Sequence, residues 1–253
     1  MAKQTCAICG AEINLIQQVK LTDGAYICRK TCKPKGFKDF DFMHATLPSV
    51  KAHLAQVERG TKLWQTYFVP QRKKLVRFGS PVYVAEDVGL IAYVETRYKI
   101  FLFGKSELAC VYRIADLVGY NYEVIDTQTS DGKTEKQEVC RLTFRNVEGM
   151  NEVVFKIPGK KSFEKLEKYF NTLFGIQKTL GNVGNTWKSQ INAAKAIGSA
   201  IKAAASGDEA ALEDTAGNAA EALDVAIYGD RTACIEKADA ALGTVDLRYT
   251  HPQ

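Results

Sequence analysis

Four of the chain's seven cysteines stand in two close pairs, Cys6-x-x-Cys9 and Cys28-x-x-x-Cys32, with eighteen residues between Cys9 and Cys28. Two such pairs on separate turns can deliver four thiolates to one point, and zinc prefers a tetrahedral sulfur set of this kind. Gly10, directly after Cys9, permits the tight reversal that a metal knuckle needs. The stretch between the pairs reads as a small strand pair, INLIQQVKL and AYIC, turning at Asp23-Gly24. The gap from Cys28 to Cys32 keeps both on one helix face, while Pro34 opposes a long helix there. The spacing predicts a structural zinc ion on Cys6, Cys9, Cys28 and Cys32. The alternatives are His44 in place of one sulfur, unligated thiols, or a redox Cys-x-x-Cys, which ordinarily sits in a βαβ setting absent here.

The elements that must position these cysteines lie in a basic zone. Residues 1–80 carry 14 Lys and Arg against 5 Asp and Glu, a net +9. Residues 81–182 carry 14 of each, and residues 183–253 carry 6 against 10. Zinc bound by four thiolates would still leave about +7 on the first zone, enough to attract an acidic partner. The 253 residues are 46% apolar and 25% charged, ordinary material for a folded chain of one or two domains. No apolar run approaches the roughly 20 residues of a membrane span, and MAKQTCAIC lacks a secretory pattern, so a cytoplasmic location is expected. That compartment disfavours disulfides. Cys110, Cys140 and Cys234 read as small buried hydrophobes.

Three domains are expected, at 1–60, 72–180 and 183–253. In the first, LPSVKAHLAQVERG follows the cysteine-held segment as a helix, with Pro48 at its first position and Gly60 as its stop. Residues 61–81 read as a basic connector. From there the period becomes strand-like: VYVAED, LIAYVE, KIFLFG, ADLVGYNYEVID, KQEVCRLTFRN and EVVFKIP, with KKLVRF as a seventh and a hairpin signal at Asp131-Gly132. An amphipathic helix over KKSFEKLEKYFNTLFGIQKTL comes next, with Phe163, Leu166, Tyr169, Phe170, Leu173 and Phe174 at helical spacing. The last zone is alanine-rich and helical. Trp187, Ile191, Ile197 and Ile201 supply its larger contacts, flanked by Lys188, Lys195 and Lys202, and DRTACIEKADAAL forms a third short helix. Those faces suit packing against protein, in this chain or in self-association, more than lipid, because alanine buries little area.

CAICG at 6–10, KLTDGAYIC at 20–28 and the helix beginning LPSVKAHL resemble a bacterial family known as domain-of-unknown-function family 4428; the spacing after Cys28 departs from its commoner form. Strands followed by one capping helix resemble, in chain order, pleckstrin-homology-like (PH-like) and GRAM-like domains. Together these resemblances imply an α+β multidomain chain: a zinc-ribbon or treble-clef head, an antiparallel PH-like β-barrel with a capping helix, and a helical C-terminal segment. They imply no activity.

An enzyme needs a convergent nucleophile, base or open metal position. The three histidines, His44, His53 and His251, sit in no recognisable motif, and no phosphate-binding glycine loop is present. GNVGNTW reads as a hinge. The chain is therefore read as a non-enzymatic binding or adaptor protein acting through protein contacts, with no small-molecule substrate inferred. Nucleic acid is the second reading. Arg29, Lys30, Lys33, Lys35 and Lys38, interleaved with Phe37, Phe40 and Phe42, could neutralise phosphate and stack on bases, unless those rings fill the head's own core. A membrane surface is third, through Arg72, Lys73, Lys74 and Arg77.

Overall fold

The computed structural model describes residues 4–98, 104–128, 132–176 and 229–242. The chain divides into two compact units, Met1–Lys160 with the stretch beginning at Cys234, and Lys161–Ala233. The cysteine-held head and both sheets fall in the first unit.

The head is built from strands too short to stand alone. β1 (Gln4–Thr5) pairs with β2 (Glu12–Ile13), and β3 (Gln18–Lys20) with β4 (Tyr26–Cys28), both antiparallel. A 3-10 turn over Lys33–Lys35 follows. Helix α1 (Leu47–Leu63) then starts where the Thr46 hydroxyl accepts the Ser49 N–H and the Asp23 carboxylate accepts the Leu47 N–H. Gly60 does not stop α1, which runs three residues further into a π-helical turn over Trp64–Phe68. Its small size serves close approach instead: a Cβ there would lie 2.3 Å from the Ala109 carbonyl oxygen. The expected basic connector is likewise corrected, since Trp64 and Phe68 within it are fully buried.

A four-stranded antiparallel sheet follows, in the order β5 (Val76–Phe78), β6 (Val82–Ala85), β7 (Leu90–Tyr98) and β8 (Lys105–Arg113). Both of its faces are buried. Tyr83, Ala85, Leu90, Ala92, Val94, Ala109 and Val111 pack with Trp64 and Phe68, while Val82, Val84, Ile91, Tyr93, Cys110 and Tyr112, on the alternate positions, are buried as well. Double burial explains why VYVA and LIAYV read as continuous apolar runs. The outer edge of β8 is covered by α1, whose Thr61 hydroxyl accepts the Ala109 N–H at 3.0 Å.

After a 3-10 turn at Ile114–Asp116 the chain enters a second antiparallel sheet, β9 (Leu117–Gln128), β10 (Thr134–Phe144) and β11 (Glu152–Lys156), ordered β11-β10-β9. Tyr112 of the first sheet stacks on Phe144 of the second, ring centroids 3.9 Å apart. On the second sheet's other face Arg141 bridges Glu123 and Glu152 across three strands. Among the described residues no strand pairing joins the two sheets, so two open sheets stand where a barrel is expected. Of the strand expected at 99–104, residues 99–103 lie outside the described residues. Strand β8 is unanticipated, its start hidden by Lys105, Ser106 and Glu107.

In the second unit, α2 (Lys160–Leu173) buries Phe163, Leu166 and Phe170, and Phe174 just beyond it is buried too. Residues 183–228, with Trp187, Ile191, Ile197 and Ile201, lie outside the described residues. The third short helix is present as α3 (Thr232–Leu242), where Ala238 joins the core of the first sheet and Asp239 pairs with Arg113.

Candidate metal centre

The first knuckle is made by local backbone bonds. The Cys6 N–H donates to the Ala11 carbonyl, and the Gly10 N–H returns to the Cys6 carbonyl, with Gly10 at φ 73°. The Ala7 N–H donates to the Tyr26 carbonyl at 2.8 Å, which ties this knuckle to the second strand pair. That pair turns at Gly24, φ 83°, and ends on Cys28. From Cys28 the backbone makes one helical turn, the Cys32 N–H reaching the Cys28 carbonyl, and Pro34 sits in the 3-10 turn that follows. The three-residue spacing thus returns Cys32 to the cluster.

The four sulfurs lie within 4.8 Å of one another. Cys6 Sγ and Cys32 Sγ are 3.8 Å apart, and Cys9 Sγ and Cys28 Sγ 3.7 Å. Zinc–sulfur bonds of about 2.3 Å in a tetrahedron give edges of about 3.8 Å, whereas a disulfide would need about 2 Å. The Cys28 N–H points at Cys6 Sγ and the Cys32 N–H at Cys28 Sγ, both at 3.3 Å, placing donors on sulfurs that carry charge when ligating. Burial alone would raise the Cys6 thiol, yet backbone N–H groups at Cys9, Ile8 and Cys28 bring it down to about 6. Cys32, buried and beside the other three sulfurs, is pushed up. One thiolate therefore forms readily, and a cation at the centre would let all four ionise. His44 is not part of the group: its ring is exposed and bonded to the Asp41 carboxylate at 2.6 Å.

Beneath the sulfurs lies a core of Ile13, Val19, Leu21, Ile27, Phe42 and Val50. Phe37 and Phe42 are buried, and Phe40 stacks on His53 at 4.0 Å. Filling the core is the role these rings take. Arg29, Lys30, Lys35 and Lys38 are exposed around them, and the Lys33 ammonium lies 5.9 Å from the Phe42 ring. Of the second basic group, Lys73 and Lys74 are exposed. Arg72 is held by Glu107 and the Tyr83 hydroxyl, and Arg77 donates to the Ser80 carbonyl.

A set of residues with no signature of its own joins the head to the body. His53, fully buried on α1, accepts the Phe37 N–H at Nε2, 3.0 Å, and burial pulls its pKa down to about 3. From β7, Arg97 donates to the Pro34 and Gly36 carbonyls and pairs with Glu95. Glu95 in turn accepts the Lys38 N–H at 2.8 Å, and Phe37 stacks on Tyr93. The one sequence signal for this latch is the alternation Tyr93, Glu95, Arg97 on one side of a strand.

Along α1 runs a groove of about 620 Å³, lined by Ile8 of the first knuckle, Leu54, Ala55 and Val57 of α1 and Leu108 of β8, with Lys35, Lys51 and Glu58 among its polar residues. No described helix is long and apolar enough to cross a membrane. Compared with protein-family models, curated proteins and solved structures, the chain matches none. Its candidate site therefore stands on its own geometry, four cysteine sulfurs gathered closely enough to hold a metal ion.

Proposed function

We propose that this chain is a non-enzymatic, zinc-stabilised adaptor that works through protein contacts, its partner an acidic amphipathic segment seated in the groove along α1. The observation that carries the reading is the groove itself: an apolar floor of Ile8, Leu54, Val57 and Leu108 beside Lys35 and Lys51, on a zone of net charge +9. Apolar anchors with complementary charge are the usual terms of helix-in-groove recognition. Zinc suits the sulfur spacing, and a four-thiolate ion has no open coordination position, so its role is to hold the head's short strands together. The CAICG and KLTDGAYIC motifs support a head like that of family 4428. Two meandering sheets followed by an amphipathic helix support a PH-like body over 72–180.

Exposed Arg29, Lys30, Lys35 and Lys38 favour nucleic acid as the second reading. With Phe37 and Phe42 buried, such binding would rest on phosphate contacts, indifferent to sequence and steep in salt. One titration separates the readings. A fluorescein-labelled Glu/Leu model helix, its Lys/Leu counterpart and labelled poly-uridine are each added to the zinc-loaded protein and to Ala55→Asp. The adaptor reading expects saturable binding of the Glu/Leu helix alone, weakened about tenfold or more by a charge in the apolar groove. Equal binding of both helices, or poly-uridine binding insensitive to Ala55→Asp with no Glu/Leu binding, overturns it.

A further inference from the structure

The first unit holds a second concavity, away from the groove. Strand β6 pairs with β7 only at Leu90 to Tyr93, and the last bond on that side runs from the Val94 N–H to the Pro81 carbonyl at 2.8 Å. Beyond it β7 continues through Thr96 to Tyr98 while the chain turns back at Gly79 and Ser80. Gly79 has φ 58°, and a Cβ there would lie 3.1 Å from the Lys156 carbonyl oxygen, so this turn abuts the end of β11. The space left between the sheet ends is about 860 Å³, within the range of small-molecule sites.

Its walls are of two kinds. Val94, Val139, Val154, Phe155 and Ile125 provide an apolar interior. Arg72, Arg77, Lys105 and Lys156 contribute four cations against the carboxylates of Asp39 and Glu107. These cations are not equivalent. Glu107 pairs with both Arg72 and Lys105 and also accepts the Trp64 indole N–H, which fixes Arg72 against Trp64 and Tyr83. Asp39 accepts the Tyr93 hydroxyl. Arg77 and Lys156 have no carboxylate partner among the described residues. Arg77 donates to the Ser80 carbonyl and stands 5.3 Å from the Tyr83 ring.

We propose that this cleft binds an amphiphilic anion, its apolar body among Val139, Val154 and Phe155 and its charged head at Arg77 and Lys156. Charge-assisted bonds to cations that no described carboxylate neutralises would supply orientation, and apolar burial most of the affinity. The site is independent of the α1 groove and of the metal, sharing no lining residue with either. A long-chain carboxylate and a lysophospholipid share this chemistry.

Displacement of the fluorescent anion 1-anilinonaphthalene-8-sulfonate from the zinc-loaded protein tests it with four competitors: oleate, oleoyl lysophosphatidate, oleyl alcohol and inorganic phosphate. The expected result is one site per chain, displaced by oleate or lysophosphatidate at least about tenfold more strongly than by the neutral alcohol, with phosphate alone ineffective. Whichever of the two anions binds more tightly identifies the head group as carboxylate or phosphate. Arg77→Gln with Lys156→Gln should weaken the preferred anion about tenfold or more and leave the circular dichroism spectrum unchanged. Val139→Asp, which charges the floor and leaves both cations, should abolish displacement, whereas Ala55→Asp should leave it intact and so keep this test separate from the adaptor reading. Equal binding of alcohol and acid, unchanged affinity in the double variant, or displacement by phosphate alone overturns the proposal.

Discussion

The head and the first sheet bury aromatic and β-branched side chains equally well, yet they keep their shape by different means. In the head, strands of two and three residues surround a core that includes three cysteines, beside a sulfur cluster that could close it by holding a metal ion. In the sheet, β7 and β8 run nine residues each, and their stretches Leu90 to Val94 and Ala109 to Tyr112 are covered on both faces, so burial alone suffices. A small segment cannot gather enough apolar area to offset its chain entropy, and a metal or other staple makes up the difference. The comparison also shows where independence ends. The latch of His53, Arg97 and Glu95 joins the head to the body, so the loss of one is felt at the other.

The largest expected effect breaks the head alone. One zinc per chain should be released when the four thiols are titrated with a mercurial in the presence of a chelator. Hydrogen exchange should then rise throughout residues 4–32, fall off through the latch and leave β6 to β8 protected. Structural zinc contributes on the order of 10 kcal/mol in isolated fingers, so the head's protection should vanish and not merely decline. Collapse of β6 to β8 on the same timescale would show that the two regions share one cooperative core.

Breaking the body is the converse. Trp64→Ala removes a fully buried ring that packs on Tyr83 and Phe68, and should cost about 3–5 kcal/mol in denaturant unfolding. Gly60→Ala, with its Cβ meeting the Ala109 carbonyl oxygen at 2.3 Å, should cost about 1–3 kcal/mol. Neither should change the zinc stoichiometry. Loss of metal in either variant would mean that α1's seat on β8 is needed to assemble the sulfurs.

An effect that shows only in acid sharpens the boundary between the two. His53 titrates near 3 in the folded chain, below its ordinary 6.5 because burial disfavours the imidazolium. The unfolded state therefore binds more protons between those values. Its contribution is complete above about pH 6.5 and is lost as pH falls toward 3, by roughly 3–5 kcal/mol over the whole window. Replacing His53 by Gln should flatten that part of the stability profile between pH 6.5 and 4, read by urea unfolding. An unchanged acid slope would place the titration elsewhere.

Much of the head was open to inspection in the sequence, since a metal knuckle is a local object. The intervals 6 to 9 and 28 to 32, with Gly10 and Gly24 at positive φ, set the turns that aim the sulfurs, and no distant residue is needed to see it. Strands β5, β6, β7, β9, β10 and β11 were legible for a similar reason, because alternation and apolar runs are short-range, whereas β8 and the arrangement of the strands in two separate sheets were not. The face of α2 could be read from its period, with Phe163, Leu166 and Phe170 buried as spaced.

What the sequence determined by itself is what neighbours along the chain can decide: the sulfur set, the turns, the helix faces and the basic bias of the first zone. Tertiary structure alone decided that Gly60 is a contact and not a stop, that Trp64 and Phe68 in a basic stretch are core, that Phe37 and Phe42 face inward, and that His53 is a neutral acceptor. Each of these roles is set by a group far away in sequence, such as Arg97 reaching the Gly36 carbonyl across 61 residues. Burial and pairing are properties of the space around a side chain, and that space is furnished by segments whose positions no local pattern records.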